Sequence, residues 1–259
     1  MQVQEQAEEN LTRDGFLGKK LSIRQPEKGF RSGHDAVLLA AFAAPPEAGT
    51  VLELGSGAGV ASLCLTARRA DVRVTGLELD PALVALAQQN AADNQLATRV
   101  DFRQGDVTGK FAALDLAPNQ FDEVIANPPF YRAGEVNDLP NAGRQQAHIG
   151  DADTLDQWVS CACALVRAKG HVSFVHRAEA LADLLAVMTP RLGGLCVVPL
   201  FPRPGADATR VLLRGRRDSR TAMRVLPGVI LQDAQGQPSD AAEAVLRDGA
   251  ALAFDTADG

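Results

Sequence analysis

The sequence predicts an α/β fold in which helices cover both faces of a doubly wound, mostly parallel sheet of seven strands, preceded by a short hairpin and helix. Three observations lead to this prediction. From residue 51 onward, short apolar segments alternate with amphipathic ones, a glycine-rich turn follows the first apolar segment, and 46% of all residues are hydrophobic while 22% are charged. Alternation of this kind produces right-handed βαβ crossovers and therefore a parallel sheet with a sizeable core.

The first 50 residues are expected to form an extension ahead of the sheet. Residues 1–14 are polar and acidic, which is typical of a frayed tail or a short cap. Residues 15–33 contain two dipeptides ending in Pro26 and Gly29 that favour turns, so this stretch predicts two short strands around a turn. The apolar residues 34–44 then indicate a helix that ends before two consecutive prolines.

The strands and helices of the core follow in alternation. Strands are predicted at residues 51–55, 72–78, 99–103, 121–126, 170–176, 195–200 and 209–214, and helices near residues 59–69, 81–93, 154–168 and 177–189. Asp80-Pro81 is a strong helix start, because Asp caps free N–H groups and proline fits the first helical position. Residues 131–153 predict a long polar loop, a feature that is usually functional or disordered.

Length favours one domain with extensions. Residues 1–46 are expected to form an N-terminal extension, residues 47–215 the core and residues 216–259 a C-terminal extension. No stretch reaches the roughly 18 apolar residues of a membrane span, and the polar, acidic start of the chain is unlike a signal peptide. We therefore expect a cytoplasmic protein that does not bind membranes.

The charge is unevenly distributed along the chain. A net charge of −6 argues against non-specific coating of nucleic acid, and we expect no DNA partner. One segment nevertheless carries seven arginines against two aspartates; the arginines are Arg203, Arg210, Arg214, Arg216, Arg217, Arg220 and Arg224. Such a segment favours either a local contact with a phosphate backbone or a solvated edge strand whose arginines prevent association between sheets.

The cysteines and most histidines are interpreted as structural residues. The cysteines, Cys64, Cys161, Cys163 and Cys196, have neither the spacing of a zinc site nor that of a redox pair, so we expect buried, reduced thiols. The spacing of His148, His171 and His176 fits no ligand motif. The sequence therefore predicts no metal site.

The stretch "VLELGSGAGVASLCL" predicts a strand, a tight turn and a helix. Its glycines, Gly55, Gly57 and Gly59, permit the turn and let a ligand approach the backbone, while the helix start offers free N–H groups. Glu78 ends the next strand, 19 residues after Gly59. At that spacing a carboxylate reaches a ribose diol in a doubly wound fold.

Two cofactor classes fit this pattern. The dinucleotide fingerprint requires a later glycine, and Val60 stands in its place here. With Glu53, the pattern E-x-G-x-G-x-G resembles the class I S-adenosylmethionine (SAM)-dependent methyltransferases. This resemblance implies their Rossmann-like fold, SAM as the cofactor and an acidic residue at the mouth of its pocket. The cofactor-binding residues that it implies are Glu53, Gly55, Gly57, Gly59, Glu78, Leu79, Asp106 and Asn127, with Asp106 contacting the adenine amine.

Asn127-Pro128-Pro129-Phe130 follows the fourth predicted strand of the core, whose carboxyl end borders the cofactor crevice. It resembles the N-P-P-[FY] motif of methyltransferases that modify the nitrogens of planar systems, such as adenine N6 or a glutamine amide. The lone pair of such a nitrogen is delocalised, which makes it a poor nucleophile. The Asn127 side-chain oxygen and the Pro128 carbonyl can hold both N–H groups and favour a pyramidal nitrogen, which then attacks the methyl group.

The rest of this motif is expected to shape the substrate site. Pro128 and Pro129 fix φ, so that the acceptors are already ordered. Phe130 offers a flat apolar face on which an unstacked base can lie. We therefore predict Asn127, Pro128 and Phe130 as catalytic residues, with Pro129 and Tyr131 on the substrate side.

Three longer stretches favour adenine over glutamine. The leader "GFRSGHDAVLLAAFA", "KGHVSFVHR" and "PLFPRPGADATRVLLRGRR" are similar to segments of the bacterial tRNA (adenine-N6)-methyltransferases that act on a valine tRNA, and the resemblance spans nearly the whole chain. It implies a tRNA partner, with Phe130 stacked on the flipped adenine. It also implies that Gly33, His34 and Asp35 border the cofactor.

Charge alone suggests which residues contact phosphates, and some alternatives stay open. The candidates for these contacts are Arg144 and the arginine-rich segment of residues 203–224, in which Arg214, Arg216 and Arg217 are singled out. A glutamine-N5 protein methyltransferase or another small amine methylator would use the same crevice. A SAM-binding RNA chaperone or scaffold is the non-enzymatic alternative. The oligomeric state, monomer or dimer, is not predicted.

Overall fold

The computed structural model describes residues 10–29, 31–109, 111–129, 152–252 and 254. Phe130, Tyr131 and Arg144 lie outside the described residues, as does the polar loop predicted at 131–153 up to residue 151. In the described part of the chain, no helix is long and apolar enough to cross a membrane.

An antiparallel hairpin of β1 (Leu11–Phe16) and β2 (Leu21–Pro26) precedes the sheet. Its turn lies at residues 17–20, where Gly18 has a φ of +63°, and not near Pro26, so the turn prediction is wrong. The expectation of a frayed tail up to residue 14 is also wrong from residue 11 on. The cause is tertiary, because the side chains of Asn90 and Asn94 bond the backbone of β2 and dock the hairpin on a later helix.

The remaining elements include the predicted strands and helices of the core. They are α1 (His34–Phe42), β3 (Thr50–Leu54), α2 (Val60–Arg68), β4 (Arg73–Glu78), α3 (Pro81–Asp93), β5 (Val100–Gln104), β6 (Phe121–Ala126), α4 (Ala152–Leu165), β7 (Val166–Arg177), α5 (Leu181–Met188), β8 (Gly193–Phe201), β9 (Arg210–Arg216), β10 (Arg224–Val225), β11 (Val229–Ile230) and α6 (Asp240–Glu243). Short 3₁₀ turns at Phe111–Leu114 and Ala178–Ala180 and a π turn at Ala244–Asp248 complete the list. The helix expected at residues 154–168 ends at Leu165, where β7 begins, and the elements after β9 were not predicted.

The large sheet has the strand order β10-β8-β9-β7-β6-β3-β4-β5, with β11 also paired to β8. Strands β3 to β7 pair in parallel, whereas β9 runs antiparallel to both of its neighbours, β7 and β8. The predicted fold class is confirmed, and the seven predicted strands are β3 to β9. The chain leaves β3 toward β4 on one side and returns to β6 on the other, so a crevice opens at the carboxyl ends of these strands.

Apolar side chains fill both faces of the sheet. One core cluster joins the sheet to α1, α2 and α3, and the second joins it to α4 and α5. All six residues of β6 are buried, as expected for a central strand of a parallel sheet. The predicted start of α3 is confirmed, because the Asp80 carboxylate accepts a hydrogen bond of 2.8 Å from the Ala82 N–H. The predicted boundaries after residues 46 and 215 stay predictions.

Candidate active site

Three sequence motifs meet at the carboxyl edge of the sheet. Leu54 of β3 pairs with Leu77 of β4 on one side and with Ala126 of β6 on the other. The next residues along these three strands, Gly55, Glu78 and Asn127, therefore lie side by side, since neighbouring strands are about 4.8 Å apart. The structure thus brings together the glycine turn, the carboxylate of β4 and the Asn-Pro-Pro segment.

The three glycines of the turn differ in what surrounds them. All have positive φ values, of 65° at Gly55, 53° at Gly57 and 87° at Gly59. A Cβ at Gly55 would lie 2.5 Å from Cη2 of Trp158, and one at Gly59 would lie 2.6 Å from Cζ of Phe102. A Cβ at Gly57 would meet no heavy atom within 4 Å. Two glycines are therefore required by packing, whereas Gly57 faces the open space into which a ligand can come.

The ends of β4 and β5 provide groups that suit a nucleoside. The Glu78 carboxylate accepts hydrogen bonds from the N–H of Gly57 at 2.8 Å and of Asp80 at 3.0 Å, which holds it against the glycine turn. Leu79 is 39% exposed, an unusual position for a large apolar side chain next to a turn. Asp106, which is exposed, is oriented by the N–H and hydroxyl of Thr108 at 2.9 and 2.7 Å. Carboxylates can accept hydrogen bonds from ribose hydroxyls and from the adenine amine, and an apolar surface can contact the base. These groups therefore fit the nucleoside part of SAM.

Glu53 lies below the turn and not at the mouth of a pocket, so that expectation is wrong. Its side chain is 3% exposed and accepts hydrogen bonds from the N–H and the hydroxyl of Ser62. Burial, with a smaller contribution from the nearby Glu78 carboxylate, raises the pKa of Glu53 to about 8, although the hydrogen bonds from Ser62 act in the opposite direction. Glu53 therefore links β3 to the start of α2 from the interior.

Asn127 carries an unsatisfied acceptor at the end of β6. Its side-chain oxygen is buried and has no hydrogen-bond partner within the described part of the chain. A buried polar group without a partner costs about 1–3 kcal/mol, and such groups are rare in folded proteins. Pro128 is buried and Pro129 half-buried, so the chain is restrained directly behind this amide. The oxygen is therefore available to a donor that the described residues do not supply.

The start of α1 approaches this edge through Asp35. The Asp35 carboxylate accepts a 2.8 Å hydrogen bond from Nε of Arg210. Arg210 is the first residue of β9, and in the sheet it lies opposite Arg177, the last residue of β7, at the carboxyl edge. Gly33 and His34 are exposed and line a cleft of about 730 Å³ between the hairpin, α1 and the C-terminal segment. No glycine of the turn lines this cleft, so of Gly33, His34 and Asp35 it is Asp35 that the hydrogen bond from Arg210 places at the carboxyl edge.

Comparison with known proteins identifies the family. The family model described as methyltransferase small domain matches residues 32–142. The tRNA1(Val) (adenine(37)-N6)-methyltransferase of Actinobacillus succinogenes is 33% identical over 208 residues, which cover 80% of this chain and 85% of that protein. The chain belongs to this methyltransferase family. The enzyme of the same name from Aeromonas salmonicida is 29% identical, over 77% of this chain and 82% of that protein.

Solved structures agree with this assignment. A crystal structure from Agrobacterium tumefaciens, described as a predicted O-methyltransferase, matches with a TM-score of 0.72 and 26% identity over 85% of this chain and 99% of that one. The geranyl diphosphate C-methyltransferase of Streptomyces coelicolor shares the fold alone, with a TM-score of 0.50 and 12% identity over 71% of this chain and 75% of that one. The protein is therefore a SAM-dependent methyltransferase, as the sequence predicts.

The arginines predicted to contact phosphates lie in two different places in this methyltransferase. Arg214 is buried, with Nε 3.2 Å from the Ser173 hydroxyl and 3.8 Å from the Glu123 carboxylate, and its guanidinium stacks 4.2 Å from the Phe42 ring. The phosphate contact predicted for Arg214 is inconsistent with this burial. The reason is that the sequence shows the density of charge but not which face of β9 each arginine occupies.

Arg216 and Arg217 lie at the amino edge of the sheet, opposite Asn127. Arg216 Nε donates to the Lys169 carbonyl at 3.1 Å, and Arg217 Nη1 donates to the carbonyls of Cys163 at 3.0 Å and Val166 at 2.6 Å. From the end of β9, both side chains bond backbone carbonyls of α4 and β7. Their predicted phosphate contacts stay predictions and would require a surface remote from the glycine turn.

Sequence reasoning missed Trp158, which packs its ring directly under Gly55. Its Nε1 is buried without a hydrogen-bond partner in the described ranges, and it is the only tryptophan of the chain. The helical pattern of residues 154–168 placed it on a core helix, but no local signal connects that helix to the glycine turn. Its indole is therefore a natural fluorescent reporter of the turn.

Proposed function

We propose that this methyltransferase transfers the methyl group of SAM to the exocyclic N6 amine of an adenine in tRNA. The observation that carries the proposal is the buried side-chain oxygen of Asn127, which has no hydrogen-bond partner among the described residues and lies beside the glycine turn. The relatives from Actinobacillus succinogenes and Aeromonas salmonicida are named for adenine 37 of a valine tRNA, and we propose the same nucleotide here. A tRNA substrate also favours the cytoplasmic location that the sequence predicts.

The chemistry requires acceptors that are in place before the amine arrives. The Asn127 oxygen and the Pro128 carbonyl accept the two N–H groups of adenine N6, which favours a pyramidal nitrogen with a localised lone pair. Because the prolines restrain this segment, the acceptors need no reordering as positive charge develops on the nitrogen. Pro129, together with Phe130 and Tyr131, forms the substrate side in this proposal, where a flipped base is stacked.

The cofactor is held by the groups that the three strand ends provide. When bound, SAM supplies an electrophilic methyl group on its sulfonium. Glu78 holds the ribose hydroxyls, Leu79 contacts the adenine ring and Asp106 accepts from the adenine amine. Gly57 leaves room for close approach, while Gly55 and Gly59 keep the turn packed on Trp158 and Phe102. Gly33, His34 and Asp35 close the side next to α1 in this proposal.

The alternative substrates use the same crevice. A glutamine amide presents a similar planar NH₂ group, and a scaffold protein would bind RNA and SAM without turnover. The two relatives at 33% and 29% identity favour tRNA adenine over both alternatives, since each is named for that reaction.

The substrate is tested by following a labelled methyl group from SAM. The purified protein is incubated with a valine tRNA transcript, with the same transcript carrying guanosine in place of adenine 37, and with an extract of ribosomal proteins and release factors. We expect label in the first transcript only, recovered as N6-methyladenosine after nuclease digestion and mass spectrometry. Label confined to protein would favour a glutamine amide over adenine as the substrate. Tight tRNA binding without label in any arm would favour the scaffold.

A further inference from the structure

The loop at residues 202–209 lies on the same edge of the sheet as Asn127. Strand β9 is antiparallel to both β7 and β8, so β8 runs in the direction of β6 and β7, and the loop that follows Phe201 emerges at the carboxyl edge. Three strand spacings separate β8 from β6 in the sheet order, a lateral distance of about 14 Å. The loop therefore borders the region where RNA flanking the target nucleotide must pass.

The base of this loop is well anchored. The Thr209 N–H donates to the Leu200 carbonyl at 3.1 Å, and the Gln232 N–H donates to the Pro202 carbonyl at 3.1 Å. Strand β11 pairs in parallel with the last residues of β8. Within the loop, the Ala206 N–H donates to the Arg203 carbonyl at 3.3 Å, and Gly205 has a φ of +73°. Arg203 is therefore presented on a turn whose two ends are fixed to the sheet.

Arg203 is exposed, and its guanidinium has no ion pair or hydrogen bond among the described residues. The neighbouring arginines of this edge are occupied, since Arg210 pairs with Asp35 at 2.8 Å and Arg177 pairs with Glu179 at 3.2 Å. The other charged group of the loop is Asp207, which is also exposed. A planar guanidinium with free donors is the side chain best suited to a phosphodiester.

We infer that the loop at residues 202–209 is an RNA-backbone surface in which Arg203 holds a phosphate close to the target adenine. This inference rests on the proposed function and names the residue that positions the tRNA. A phosphate contact carries no sequence information, but it fixes the register in which a base reaches the crevice. It also explains how a protein of net charge −6 binds RNA, because the cation faces the catalytic edge.

The test compares Arg203→Ala with Arg220→Ala. Arg220 belongs to the same arginine-rich segment, is equally exposed and lies toward the amino edge, so the two variants lose the same charge at opposite edges. Affinity for the valine tRNA transcript is measured by filter binding at several salt concentrations, with S-adenosylhomocysteine present so that no turnover occurs. We expect Arg203→Ala to weaken binding about tenfold and to lower the slope of log Kd against log salt by about 1. Arg220→Ala should stay within about twofold of the wild type.

Two readouts separate this inference from the proposed function. SAM titration followed by Trp158 fluorescence establishes that both variants keep the cofactor site, and transfer of labelled methyl by the wild type tests the function independently. Equal tRNA affinity of Arg203→Ala and the wild type would overturn the inference even if methyl transfer to tRNA is observed. A larger loss in Arg220→Ala would overturn it too, by placing the RNA on the amino edge. If Arg203→Ala weakens tRNA binding but the wild type transfers no methyl group, the RNA-backbone surface is supported and the proposed function is contradicted.

Discussion

Polar groups at the two edges of the central sheet differ in whether the protein itself supplies their bonding partners. At the amino edge, the Asp122 carboxylate accepts from the Thr50 N–H at 2.7 Å and from its hydroxyl at 2.8 Å, and pairs with Arg167 at 2.5 Å. Arg217 bonds two backbone carbonyls and the Asn119 side chain there. The protein itself thus supplies hydrogen-bond or ion-pair partners for these two side chains.

At the carboxyl edge, polar groups are left for something else to satisfy. The Asn127 oxygen and the Ser56 hydroxyl are buried without a hydrogen-bond partner in the described part of the protein, Leu79 is 39% exposed and Arg203 has no ion pair. Each of the two unsatisfied buried groups costs about 1–3 kcal/mol, a cost that is offset where a ligand provides the missing partners. Polar groups at the amino edge therefore help to stabilise the fold, whereas those at the carboxyl edge are available to bind ligands.

The largest expected effect concerns proton uptake below the glycine turn. Because burial raises the pKa of Glu53 from 4.5 to about 8, the folded protein holds a proton that the unfolded chain releases. The contribution of this proton to the free energy of unfolding is fully present below pH 4.5 and is lost as the pH rises to 8. The free energy of unfolding falls over this range by at most about 1.4 kcal/mol per pH unit. Glu53→Gln should remove this slope from the pH dependence of the free energy of unfolding. The exposed Glu27→Gln should retain it, and an equal slope in both variants would contradict the burial argument.

The next effect concerns Arg214, which lies between the two edges. Arg214→Ala leaves the Glu123 carboxylate buried without its cation, which should cost about 3–5 kcal/mol in urea unfolding. The double variant Glu123→Gln/Arg214→Met removes both charges and should recover most of that loss. If the single variant unfolds at the wild-type urea concentration, the middle of β9 does not stabilise the fold as described.

The comparison is tested most directly by two asparagines, one at each edge. Asn127→Ala should slow methyl transfer about 100- to 1000-fold, as expected for the loss of one pre-arranged polar group, while SAM affinity and the melting temperature do not fall. Asn119→Ala removes a hydrogen bond to Arg217 and should lower stability slightly without slowing transfer. Methyl transfer and thermal melting of both variants provide the readout. Unchanged methyl transfer in Asn127→Ala would show that the unsatisfied oxygen has no role in the reaction.

A smaller effect should distinguish the glycines within the carboxyl edge. Gly55→Ala places a Cβ 2.5 Å from Trp158 at a φ of +65°, whereas Gly57→Ala adds a Cβ in open space at a φ of +53°. Both variants carry backbone strain of about 1–3 kcal/mol, and Gly55→Ala alone adds a clash. Urea unfolding should therefore show the greater loss for Gly55→Ala, together with a shifted Trp158 emission. A greater loss for Gly57→Ala would mean that the turn is not packed on the indole.

Local signals in the sequence located the elements that depend on nearby residues. Residues 121–126 and 81–93 were predicted with the observed bounds, because an apolar strand end directly before Asn-Pro-Pro and an Asp-Pro helix start are local signals that need no distant partner. The glycine turn, Glu78 and Asn127 were assigned to one edge, since the carboxyl ends of parallel strands meet. The hairpin turn was misplaced and the short strands β10 and β11 were missed, because both depend on docking and not on pattern.

The sequence by itself determined the fold class, since hydrophobic period and glycine spacing are properties of the local chain, and its resemblance to known methyltransferases indicated the family and the residues of the cofactor and amine motifs. Only the tertiary structure decided what each polar side chain faces. It buried Arg214 against Glu123 and Phe42, placed Trp158 under Gly55 and gave the Asn127 oxygen no hydrogen-bond partner within the ranges that the structure describes. These outcomes depend on contacts between residues far apart in the chain, which strand order and direction create and which no local pattern encodes.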